Sequence, residues 1–131
     1  MRLVSALTTL ADLPEKEWQA QVVQLARTLG WRHFHAYRST KSPAGFPDLT
    51  LVRERIIFVE LKTERGKLTD AQKDWIEALL HAGAEAYVWR PADLDRAGRI
   101  LAQRGDPFQA RGEIVSIAAS LRKRVLDEAA A

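Results

Sequence analysis

At 131 residues the chain has room for one well-cored domain and not for two. Hydrophobic residues make up 47% and charged residues 28%, a globular balance that excludes a disordered chain, and burial of roughly two-thirds of the extended surface at this length removes the need for staples. There is no cysteine, so disulfides, Cys-based zinc or iron–sulfur sites and thiol nucleophiles are excluded, while 20 Lys+Arg against 17 Asp+Glu give a net charge of +3 that admits nucleic acid without requiring it.

No apolar run is long enough to span a membrane. The apolar start, Met1 to Leu7, is interrupted by Thr8 and Thr9 and ends at Asp12 without a small-residue cleavage site. The expectation is a soluble, cytoplasmic, single-domain protein.

In chain order, the spacing predicts a helix over 15–29, with Pro14 at its start, Gly30 as its stop, and Trp18, Val22, Leu25, Ala26 and Leu29 on one face. Glu15 projects within about 20° of Val22, on that apolar stripe. An aromatic-rich strand over 31–37 follows, then a loop over 38–46. Runs 47–52 and 56–63 read as a hairpin around Arg53-Glu54-Arg55. Thr69-Asp70-Ala71-Gln72 has capping-box spacing and opens a helix that Gly83 ends. A buried-type strand over 84–90, an amphipathic helix over 93–103 and a last helix over 113–129 complete the order α-β-β-β-α-β-α-α. That order indicates an α/β fold, a mixed sheet flanked by helices.

The hairpin carries the chemistry. For Leu49 and Leu51 to share a face with Ile57, Val59 and Leu61, the loop needs an odd number of residues. A three-residue loop pairs Val52 with Ile56 and Thr50 with Phe58, which sets Asp48 across from Glu60, with Cβ atoms roughly 5 Å apart. Lys62 lies on the same face. Two carboxylates and a lysine there suit a hard divalent cation, Mg²⁺ or Mn²⁺; an exposed sheet face with ordinary surface pairs is the alternative. Glu15 on a core stripe is a third awkward acid that a shared metal would explain, as would a helix-end position favoured by the dipole. His33 and His35 share a strand face without a third ligand nearby and read as ordinary sheet positions. Arg122-Lys123-Arg124 reads either as a solvated helix face or as a track for phosphates.

Gly45-Phe46-Pro47-Asp48-Leu49, Phe58-Val59-Glu60-Leu61-Lys62-Thr63 and Gly66-Lys67-Leu68-Thr69-Asp70-Ala71-Gln72, with Tyr87-Val88-Trp89-Arg90-Pro91 after them and Glu15-x-x-Trp18-Gln19 before, resemble the VRR-NUC family of the PD-(D/E)XK nuclease superfamily. The resemblance runs over about 15–103. It leaves 1–14 as an N-terminal extension and 104–131 as a C-terminal helical extension packed on or beside the domain.

What the resemblance implies is a restriction-endonuclease-like sheet and a metal-dependent deoxyribonuclease. Asp48 and Glu60 become metal ligands, Lys62 the catalytic lysine, Glu15 the helix-borne acid and further metal ligand, and Gln72 the glutamine after the basic loop. Gln72 is equally served by its capping box. Mg²⁺ (or Mn²⁺) is the implied cofactor and DNA the implied partner, branched or at a four-way junction, cut by a homodimer. Arg38, Lys41, Arg65 and Lys67 are the expected backbone contacts. The short basic approach over 38–45 departs from the family pattern without touching the ligands. A non-catalytic DNA-binding module is the rival reading, disfavoured by the joint presence of Asp48, Glu60 and Lys62. A small-molecule phosphohydrolase is disfavoured by the lack of a Gly-rich phosphate loop.

Overall fold

The computed structural model describes residues 12–37, 41–105 and residue 127. The first helix, α1 (Glu15–Thr28), follows an extended Pro14 and buries Trp18, Val22 and Ala26, a stripe at i, i+4 and i+8. Gly30, at φ +88°, turns the chain back, so that the amides of Gly30 and Trp31 bond to the carbonyls of Arg27 and Ala26. Both bonds satisfy carbonyls the helix end leaves open.

Four strands form one sheet in the order β1 (Arg32–His35), β2 (Leu49–Val52), β3 (Ile56–Leu61), β4 (Glu85–Trp89). The first three are antiparallel, and β4 runs parallel to β3. A parallel neighbour needs a crossover, supplied by α2 (Asp70–His81). A 3₁₀ turn (Pro91–Asp93) leads into α3 (Leu94–Ala102). The α/β architecture expected from the alternation is the one found. All four strands are shorter than their patterns: β1 stops at His35, β2 begins at Leu49, since Pro47 has no amide for a ladder, β3 stops at Leu61, and β4 runs only over Glu85–Trp89.

Leu49, Leu51, Ile57, Val59 and Leu61 are fully buried and share a core with Trp18, Val22 and Ala26 of α1 and Ala97 and Leu101 of α3. Truncating a residue such as Trp18 there would cost about 3–5 kcal/mol. The hairpin loop closes this layer. Arg53 donates to the carbonyls of Leu29, Leu101 and Gln103, and Arg55 to those of Ile100 and Gln103, with both guanidinium groups over the Trp31 ring. Two helix C-termini thereby receive the cations their dipoles favour. By contrast α2 buries no residue fully and lies on the other sheet face.

No helix among the described residues is long and apolar enough to cross a membrane. Of the expected helix over 113–129 only Asp127, in helical conformation, is described; Arg122, Lys123 and Arg124 lie outside the described residues, as does most of the 1–14 extension.

Candidate active site

The site begins with hairpin parity. Leu49 pairs with Val59 and Thr50 with Phe58, as the three-residue loop requires, so Asp48 and Glu60 continue the register one position beyond the ladder. Both lie on the face turned away from the Leu/Ile core. The Asp48 backbone is tied to β1 by the Ala36 amide at 2.9 Å, and its Oδ2 accepts the Leu61 amide at 2.9 Å. The carboxylate therefore reaches across to the main chain between Glu60 and Lys62.

Glu60 is only 1% exposed, the single buried charged residue among those described. Its Oε1 accepts from Gln72 Nε2 at 3.0 Å and lies 4.0 Å from Lys62 Nζ, while Oε2 is buried without a partner. Burial first, and the neighbouring Asp48 second, push the Glu60 carboxyl up to about 8 against the opposing pull of Lys62. Without a counter-cation the ionised pair is unfavourable.

Gln72 serves both of its expected roles. Its backbone amide donates to Thr69 Oγ1 at 3.2 Å, and its Oε1 accepts from the Thr69 amide at 2.9 Å, a complete capping box. With that oxygen committed to the cap, the side-chain NH₂ is the end that turns to Glu60. What seats α2 is the turn before Asp48. Gly45 adopts φ +98°, and a Cβ there would stand 2.4 Å from the Ala71 carbonyl carbon, so only glycine permits this approach. Phe46 packs edge-on against both Phe58 and Trp75, and Trp75 Nε1 donates to the Ala44 carbonyl at 3.1 Å.

Lys62 is anchored through its amide to the Trp89 carbonyl at 3.1 Å, which also accepts Trp18 Nε1 at 3.0 Å. Its side chain is 14% exposed, at the rim of the acid pair. Lys41, Arg65 and Lys67 are exposed, whereas Arg38 lies outside the described residues. His33 and His35 fall on the Leu49/Leu51 face and take no part.

Glu15, expected on the core stripe of the helix, is instead exposed. The helical projection puts Glu15 on the apolar stripe, but the stripe is covered only from Trp18 onward, and the first turn of α1 stands in solvent. Arg90 is a residue the sequence reading passed over as the end of a strand, with no signal beyond its place in a matched segment.

The donors fit a hard divalent cation. Glu60 Oε2 is a buried oxygen with no partner, Asp48 stands beside it, and their mutual repulsion is what a cation relieves. Mg²⁺ characteristically takes one or two carboxylates and completes its shell with water and substrate phosphate.

The VRR-NUC domain model matches residues 5–93. A solved structure described as a VRR_NUC domain protein superimposes with a TM-score of 0.58 at 24% identity, covering 70% of this chain and 87% of its own, a likeness of fold. No curated protein shows significant similarity to the chain. With more than half of its length matched by the family model, the chain belongs to the VRR-NUC domain family, and so to the nucleases that act on DNA.

Proposed function

We propose that the protein is a metal-dependent endonuclease that hydrolyses DNA phosphodiester bonds, selecting branched or junction DNA and acting as a homodimer. The observation that carries this reading is the Asp48–Glu60 pair, with a buried unpartnered oxygen on Glu60 and Lys62 at 4.0 Å.

Asp48 and Glu60 would hold Mg²⁺ or Mn²⁺, which when bound supplies positive charge to the scissile phosphate and makes water a better nucleophile. Gln72 holds one Glu60 oxygen, and the other, buried without a partner, would be the one to ligate the ion. Lys62 sets an ammonium beside the acids, where it orients the attacking water or stabilises charge developing on the phosphate. Glu15, one turn before the Trp18 that shares the Trp89 carbonyl with Lys62, enters as an outer acid reached through solvent. Exposed Lys41, Arg65 and Lys67, with Arg38, supply backbone contacts without sequence information.

Incubation with plasmid, flap and four-way-junction DNA, with Mg²⁺ or with EDTA, tests the reading. Cleavage of the branched substrates only with metal is expected. Binding without cleavage would identify a non-catalytic module, and equal cutting of linear duplex would remove the branch selectivity. Mass in solution, free and on junction DNA, decides the homodimer.

A further inference from the structure

We propose that Arg90 is a positioning residue that shapes the loop after Lys62 into a phosphate-contacting turn. This rests on the DNA-binding part of the function proposed above and adds the element that organises it.

Arg90 follows the last residue of β4, and its Nη1 donates to the carbonyls of Thr63 and Gly66 at 2.6 Å each, with the Glu64 carbonyl at 3.3 Å. One nitrogen with two hydrogens thus gathers three carbonyls of a four-residue turn. The turn is also closed on itself, since the Gly66 amide donates to Thr63 Oγ1 at 3.0 Å and a Cβ on Gly66 would meet that oxygen at 2.8 Å. The contact is reciprocated by the Glu64 carboxylate, which accepts the Ala92 amide. Chain 62–66 is therefore strapped to chain 89–92 at both ends, by the Lys62 amide on the Trp89 carbonyl and by the Arg90 guanidinium.

Two consequences follow from this geometry. Carbonyls pointed inward at Arg90 leave the outer side of the turn to exposed Arg65 and Lys67. Arg90 forms no ion pair among the described residues and acts on the turn through its carbonyls; the one carboxylate of the turn, Glu64, is held to the Ala92 amide, so Arg65 and Lys67 leave the turn with a net positive charge. An ordered turn presents Arg65 and Lys67 at a fixed spacing and avoids the entropy of ordering a free loop on each phosphate contact.

A double-mutant cycle on the full chain tests the proposal, with affinity for a labelled duplex and a four-way junction measured in EDTA over a range of salt. Arg90→Ala should weaken binding about ten-fold and lower the salt slope by about two, as the Arg65→Ala/Lys67→Ala pair does. The triple variant should bind no more weakly than the pair, and in cleavage assays the loss should fall on KM far more than on kcat. Arg90→Lys keeps the charge but not the planar fork, so it should fold as the parent does and bind with intermediate affinity. Additive losses in the triple variant, an unchanged salt slope, or parental binding by Arg90→Lys would overturn the inference. If Arg90→Ala does not fold, Arg90→Lys decides alone. A parent that binds but does not cut with Mg²⁺ ends the nuclease reading and leaves the cycle to judge Arg90. A parent that binds neither probe ends both.

Discussion

Gln72 joins the start of α2 to Glu60: one end of its side-chain amide closes the helix cap on Thr69, and the other donates to Glu60 Oε1 at 3.0 Å. A helix that buries no residue fully is thereby coupled to the most buried acid of the sheet.

Gln72→Ala should cost about 1–3 kcal/mol, because it opens the cap and leaves a second Glu60 oxygen without a partner. It should also weaken Mg²⁺ binding. Thr69→Ala should cost about 1 kcal/mol through the cap alone and leave metal affinity near the parent's. Urea denaturation and Mg²⁺ titration calorimetry on both variants separate the two roles; equal metal affinities would reduce Gln72 to a capping residue.

The raised Glu60 carboxyl sets the sign of the pH dependence in metal-free protein. The folded state holds this proton up to about 8, whereas the unfolded chain releases it near 4.5. The stabilisation is therefore complete below about 4.5 and is lost as pH rises through about 8, the reverse of a salt-bridged acid. The thermal midpoint should fall between pH 6 and 9 without metal, recover with Mg²⁺, and vary less in Glu60→Gln. A midpoint that rises over this range would contradict the acid pair.

Lys62→Ala should reduce cleavage by at least about a hundred-fold while DNA affinity in EDTA stays within about two-fold, since other cations carry the phosphate contacts. Gel shifts and single-turnover rates check this. A variant that cuts like the parent returns Lys62 to the role of a partner for Glu60.

Arg53→Ala should destabilise the fold by about 2–4 kcal/mol without touching the site, because it uncovers carbonyls of Leu29, Leu101 and Gln103 together. Arg53 also holds the Glu54 carboxyl well below its usual range. The stability from Glu54 is thus present above about 4.5 and lost as pH falls below it. Acid unfolding of the parent, compared with Arg53→Ala, reads out this contribution; identical acid limbs would show that the pair adds nothing.

Glu15→Gln should slow cleavage and leave the urea midpoint within about 0.5 kcal/mol of the parent's, as an exposed first-turn acid allows. Parental cleavage would remove Glu15 from the mechanism.

By itself the sequence determined what depends on local periodicity. A period of two along each strand and a three-residue loop place Asp48, Glu60 and Lys62 on one face, whatever packs above them. Capping and stop residues likewise mark the helices, because those signals act within a few residues. Only the tertiary structure decided how far each helix projects past the sheet and what its ends meet. That is why Glu15, on the apolar stripe by projection, stands in solvent, while Glu60 is sealed under Gln72. The clamps of Arg53 on two helix ends and of Arg90 on the loop after Lys62 join residues 24 to 50 positions apart, and no periodicity spans such distances. A long cationic side chain reaches whichever carbonyls the packed backbone brings near, so its partners exist only once the layers have assembled.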